Sequence, residues 1–282
     1  MAVTRFAPSP TGHLHLGHVF SAHIAAALGD GYVLRIDDID HTRCRPEYTQ
    51  QIFDDLRWLG LPWTGPVQFQ SDRLVAYDEA LQRLKETGLV YPCFLKRAEI
   101  NEILSAPQRG AETTNTPFAS PSTFGALSQQ EIDHRISSGA LPAWRLHSNK
   151  ATKMFGAVAW QDAATGQAIA SNLDTFGDVI LARKDIGTSY HLSVVIDDAL
   201  DNVSLVTRGA DLQPSTHIHR VLQAALNLPS PAYFHHELIV DESGRRLAKR
   251  DQAKSITFLR ESGATPIEII ESLPKIPNIS AL

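Results

Sequence analysis

Three histidines stand within six residues in the run His13-Leu14-His15-Leu16-Gly17-His18. On a helix His15 and His18 would share a face, which is the spacing of a zinc-binding pair. No acid or cysteine interrupts the run, and this weighs against a metal. The context supplies a second chemistry. A short β-like start over 3–7 runs into the turn Pro8-Ser9-Pro10-Thr11-Gly12, and a helix over 13–28 follows. A helix N-terminus carries unpaired N–H groups and about half a positive charge, so it attracts phosphate. Gly17 lacks the Cβ that would keep a flat base or ribose off the backbone, and imidazoles at 15 and 18 can donate hydrogen bonds to phosphate oxygens as charge builds on them. Nucleotide chemistry is the favoured reading, with a metal pair as its rival.

The surrounding sequence supplies a scaffold for such a site. A buried strand over 32–36 follows the first helix, then amphipathic helices over 46–59 and 72–86. The order β-α-β-α-α predicts an α/β layered domain with a parallel sheet. The segment 105–128, rich in Pro, Thr, Ser, Ala and Gly, reads as a surface loop. Strands are expected over 142–147, 154–160, 178–183 and 204–208, helices over 189–199 and 211–226, and one or two short helices over 255–273. A chain of 282 residues with 43% hydrophobic and 20% charged residues can bury roughly three quarters of its unfolded surface, which excludes a disordered or fibrous protein. With 26 Lys and Arg against 31 Asp and Glu, the net charge of −5 argues against a general nucleic-acid coat and allows only a confined basic patch. No signal peptide or membrane span is read, and two cysteines, Cys44 and Cys93, make no stapled framework, so a cytoplasmic location is expected.

The block Arg5-Phe6-Ala7-Pro8-Ser9-Pro10-Thr11-Gly12-His13-Leu14-His15-Leu16-Gly17-His18 resembles the opening of the glutamyl-tRNA synthetases, with His15-Leu16-Gly17-His18 as their class I "HIGH" element. Three later blocks follow in the same order: Arg35-Ile36-Asp37-Asp38-Ile39-Asp40, Tyr190-His191-Leu192-Ser193-Val194-Val195-Ile196-Asp197-Asp198 and Arg208-Gly209-Ala210-Asp211-Leu212. A fourth, Arg246-Leu247-Ala248-Lys249-Arg250, occupies the place of the "KMSKS" loop and keeps only its Leu-x-Lys core. The length leaves no room after Lys254 for helices that grip an anticodon, so the chain is most similar to the truncated paralogues, the glutamyl-queuosine tRNA(Asp) synthetases. The resemblance implies a Rossmann-like class I aminoacyl-tRNA synthetase catalytic domain with an inserted acceptor-like subdomain and a short helical C-terminal segment. Its halves would be 1–90 and 178–254, the insert 91–177 and the tail 255–282, with no anticodon-binding domain and a monomeric state.

The same resemblance implies an enzyme that activates L-glutamate with ATP and Mg2+ and transfers it to the queuosine base of tRNA(Asp). Such a substrate carries two carboxylates and an ammonium, which call for two guanidinium forks and an acid. By position these are Arg5 and Arg208, with Ala7, Ser9 and Tyr190 as further glutamate contacts. Asp37 stands where the family has Glu, one methylene short, and would reach the ammonium through water. Asp38 and Asp40 read instead as strand-end caps. His15, Gly17, His18 and Lys249 would meet ATP, Lys249 at the pyrophosphate, while Arg245, Arg246, Arg250 and Lys254 read equally as phosphate contacts or a solvated turn. Relatives carry a zinc site near Tyr91-Pro92-Cys93-Phe94-Leu95; here only Cys93 remains, so no zinc is expected. Alternatives are a nucleotidyltransferase of the same superfamily, a non-catalytic tRNA-binding paralogue and a minimal glutamyl-tRNA synthetase.

Overall fold

The computed structural model describes residues 2–96, 99–100, 122–156, 158–173, 176–239, 255–276 and 279. Lys249 and its neighbours Arg245, Arg246, Arg250 and Lys254 lie outside them, as does 105–121 of the expected surface loop. The described strands are β1 (Thr4–Phe6), β2 (Tyr32–Ile36), β3 (Gln68–Phe69), β4 (Val90–Cys93), β5 (Ala143–Leu146), β6 (Ala159–Asp162), β7 (Gln167–Ala170), β8 (Ile180–Ala182), β9 (Leu205–Gly209) and β10 (Ala232–His236). The described helices are α1 (Leu16–Leu28), α2 (Pro46–Trp58), α3 (Leu74–Glu86), α4 (Gln129–Ser137), α5 (Ser148–Phe155), α6 (Tyr190–Leu200), α7 (Ser215–Leu226), α8 (Ile256–Glu261) and α9 (Pro266–Glu271).

β1, β2 and β3 form a parallel sheet in that order, and β9 and β10 pair in parallel with β6 beyond them. The two sheets meet where the N–H groups of Ser204 and Leu205 both reach the Val3 carbonyl, at 3.0 and 3.1 Å, which sets β9 beside β1. Every residue of β1 and nearly every one of β9 is buried, as expected for parallel strands covered on both faces. The winding reverses between β1 and β9. In such sheets the crevice outside the carboxyl ends of those two strands is where ligands bind. A second sheet is antiparallel in the order β4-β5-β8.

Three local expectations change. The first helix begins at Leu16, with 13–15 outside it. The stretch 154–160, expected as one strand, divides into the end of α5 and the start of β6. Ser148 and Ala151, three apart, are the buried residues of α5, a helical period, and Gly156 ends the helix with φ of 57°. β10 was hidden because its sequence, Ala-Tyr-Phe-His-His, ends in two polar residues. β6, inside the stretch expected as an insert, joins the catalytic sheet by pairing with β10.

The C-terminal helices fold back on the signature element. Ser255 bridges His15, the Ile256 N–H reaches the Leu14 carbonyl at 2.9 Å, and Gln51 on α2 bonds Thr257. Arg260 on α8 lies 3.5 Å from the buried Asp55 on α2, and neither carboxylate oxygen of Asp55 has a hydrogen bond among the described residues. Burial pushes the Asp55 carboxyl up to about 6 in spite of Arg260. A carboxyl raised on folding stabilises below its unfolded value and loses that contribution as pH rises through its folded value. An Asp55→Asn protein is therefore expected to gain stability relative to the parent as pH rises from about 4 to about 6, with the difference level above that. Paired thermal melts across that range check it; a difference that grows toward acid pH contradicts the assignment.

Candidate active site

His15 caps α1. Its Nδ1 accepts from the Gly17 N–H at 3.1 Å, and the His18 Nδ1 accepts from the His15 N–H at 3.2 Å, a reciprocal capping box built from two imidazoles. An acceptor Nδ1 places the ring proton on Nε2, so the hydrogen-bond geometry assigns both rings the Nε2–H tautomer. The rings lie 3.7 Å apart between centroids. A Cβ at Gly17 would stand 3.0 Å from His15 Cε1, so the glycine makes room for the capping ring. His13 stands apart, its ring edge-on to Tyr48 at 5.2 Å, and it does not line the cavity formed by the other two.

That cavity has a volume of about 340 Å³ and opens at the carboxyl ends of β1 and β9. Arg5, Ala7, Ser9, His15, Gly17, His18, Asp37, Tyr190 and Arg208, every described residue that the sequence singled out for substrate or nucleotide, line it together. Ser21, Arg35, Asp211 and His236 line it as well and were missed. His236 Nε2 lies 3.0 Å from the Ser21 hydroxyl, tying the end of β10 to α1.

The two arginines differ in their surroundings. Arg5 donates from Nε to Asp198 at 3.1 Å and from Nη1 to the Thr207 carbonyl at 2.8 Å. Arg35, fully buried in β2, donates to the same Asp198 oxygen at 2.8 Å and to Asp37 at 2.7 Å. Behind them Asp197 accepts from Gln70, Arg73 and Tyr77. Although burial opposes it, the charges of Arg5 and Arg35 hold the Asp198 carboxyl below the usual range. Burial outweighs Arg35 at Asp37 and raises it to about 6. Asp37 thus meets the cavity while already engaged by Arg35. Asp38 accepts from the Ser71 N–H and hydroxyl at 2.8 and 2.7 Å, and Asp40 accepts from Thr42 and Arg43, both in loop-capping roles.

Arg208, 5% exposed, has no carboxylate within 4.0 Å among the described residues. Its Nη1 donates to His219 Nδ1 at 3.1 Å and to the Tyr190 hydroxyl at 3.2 Å, and its Nη2 donates to Thr216 at 2.7 Å. Its Nε is 3.4 Å from His235 Nε2. One N–H on Nη2 and the Tyr190 O–H remain to donate, a pair suited to the two oxygens of a carboxylate. Among the described residues no cluster of His, Cys, Asp and Glu is arranged for a metal. Cys93 Sγ accepts from Thr123 at 3.4 Å, and Tyr91 donates to Asp178 at 2.8 Å, so polar pairs tie the region around Cys93 together.

A parallel sheet, a histidine-capped helix at its switch point and guanidinium groups on neighbouring strands define the class I aminoacyl-tRNA synthetase catalytic domain. Residues 1–276 match the family described as tRNA synthetases class I (E and Q), catalytic domain, and the chain belongs to that family. It is 45% identical over 274 residues to the glutamyl-Q tRNA(Asp) synthetase of Rhodobacter capsulatus, covering 95% of this chain and 98% of that one. It is 38% identical to the enzyme of the same name from Nocardia farcinica, over 95% and 82% of the two chains. The glutamate-tRNA synthetase structure from Elizabethkingia anophelis superposes with a TM-score of 0.71 at 28% identity, over 90% of this chain and 53% of that one.

Proposed function

We propose that this protein is a ligase that activates L-glutamate with ATP and Mg2+ and esterifies it to the queuosine base of tRNA(Asp). The observation that carries the reading is the pairing, in one cavity, of Arg208, which has no carboxylate within 4.0 Å among the described residues, and two histidines whose Nε2–H groups are fixed by the backbone. Arg208 and Tyr190 would hold one glutamate carboxylate, with Arg5, Ala7 and Ser9 along the opposite wall and Asp37 toward the ammonium. An oxygen of the α-carboxylate attacks the α-phosphate in line, the bond to pyrophosphate breaks, and the growing charge on the phosphate oxygens meets His15 and His18. Lys249 would neutralise the departing pyrophosphate. A hydroxyl of the queuosine cyclopentene diol then attacks the glutamyl carbonyl, releasing AMP and leaving an ester. The match along 98% of the Rhodobacter relative supports the queuosine acceptor over an ordinary glutamate-tRNA ligase. Among the described residues no helix is long and apolar enough to cross a membrane, and we place the protein in the cytoplasm as a monomer.

The expected results are glutamate-dependent pyrophosphate exchange without tRNA, and transfer of labelled glutamate only to tRNA that carries queuosine. Aspartate should activate poorly, because its shorter side chain leaves a buried guanidinium unpaired. Periodate should abolish charging by cleaving the diol, and removing the 3′-terminal adenosine should leave charging unchanged. Charging that depends on the 3′ end would replace this reading with a minimal glutamyl-tRNA synthetase. Binding of tRNA with no exchange would make the protein a non-catalytic paralogue.

A further inference from the structure

We propose that Thr216, His219 and His235 form a charge-selecting shell for Arg208, holding its guanidinium, among the described residues, through neutral acceptors so that its full charge is kept for a substrate carboxylate and the isosteric amide is refused. The proposal rests on the glutamate reading of the cavity and extends it to residues that do not line the cavity. Arginine nitrogens only donate, so each partner of Arg208 must accept. His219 therefore presents the lone pair of Nδ1 to Arg208 and carries its proton on Nε2, which lies 3.2 Å from His191 Nδ1. Thr216 accepts from Arg208 and turns its own proton to His235 Nε2 at 3.0 Å. On its remaining side the guanidinium lies 5.3 Å from the centroid of the Tyr233 ring.

This surrounding contrasts with that of Arg5, whose charge is matched by Asp198. Burial, reinforced by Arg208, lowers His191 to about 4 and His235 to about 3 and takes His219 well below the ordinary imidazole value. The rings therefore add no positive charge and supply no negative one. A carboxylate entering beside Tyr190 pairs with an uncompensated buried cation. An amide in its place brings no charge, and its NH2 group meets the donating N–H of Arg208.

An isosteric pair tests this, since Asn and Asp at position 219 both offer Oδ1 near the present Nδ1 and differ only in charge. In pyrophosphate exchange, His219→Asn is expected to hold KM for glutamate within about 5-fold of the parent, whereas His219→Asp raises it roughly 50-fold with little change in kcat and narrows the preference for glutamate over glutamine by a similar factor. His235→Gln and His235→Glu repeat the comparison at a half-buried position should the first pair fold poorly. Thermal shifts with glutamate and with glutamine give a readout independent of turnover. Equal losses in the neutral and charged variants, or an unchanged glutamate preference in the charged ones, would overturn the shell while leaving the substrate reading intact. A parent protein that binds neither amino acid would overturn both.

Discussion

Replacing Arg208 by Gln is expected to lower kcat/KM for glutamate in pyrophosphate exchange about 1,000-fold, near 4 kcal/mol of transition-state stabilisation, while leaving the unliganded protein nearly as stable as the parent. Two different consequences of one buried charge are involved. With no carboxylate beside it among the described residues, the desolvation of the Arg208 cation is offset only by neutral hydrogen bonds and the Tyr233 ring until substrate arrives, so its removal costs the free protein little. Its neighbours Thr216, His219 and His235 are neutral and lose only ordinary hydrogen bonds. Asp198→Asn should behave in the opposite way. It strips the charge from the acceptor shared by Arg5 and Arg35, both buried, and should destabilise the protein by about 3–5 kcal/mol. Chemical denaturation beside exchange kinetics separates the two. An Arg208→Gln protein that melts well below the parent would show Arg208 to be a structural cation instead of a substrate anchor.

The second large effect concerns the signature histidines. His15→Asn keeps an acceptor at the helix cap, because Asn is among the preferred capping residues, and withdraws the Nε2–H donor. His18→Ala removes both the donor and the acceptor for the His15 N–H. Loss of one fixed donor to developing phosphate charge costs roughly 2–4 kcal/mol of barrier, which corresponds to a fall of about 30- to 1,000-fold in the activation rate. His15→Asn should show this fall with an unchanged melting temperature; His18→Ala should add a loss of about 1 kcal/mol in stability from the broken cap. Single-turnover formation of the adenylate reads the rate. Full activity in His15→Asn would confine that histidine to the cap.

Much of what depends on neighbours within a few turns of chain was legible in the sequence, although 154–160 divided between a helix end and a strand start and β10 went unread. The strand, turn and helix around His15 and His18 could be read because capping and phosphate attraction are local, and a helix N-terminus announces itself through the residues beside it. The resemblance carried Arg5, Tyr190 and Arg208 to one substrate, and the fold sets all three on one cavity. The tertiary structure decided what surrounds each charge. Arg5 meets Asp198 across 193 residues of chain, and Arg35, a cation inside an apolar strand, shows its purpose only when Asp37 and Asp198 arrive beside it. The histidines of α7 and β10 belong to none of the motifs in the sequence, and only packing brings them to Arg208. Whether a guanidinium is compensated or left for a ligand depends on distance and burial in three dimensions, because Coulomb attraction and desolvation act through space and not along the chain.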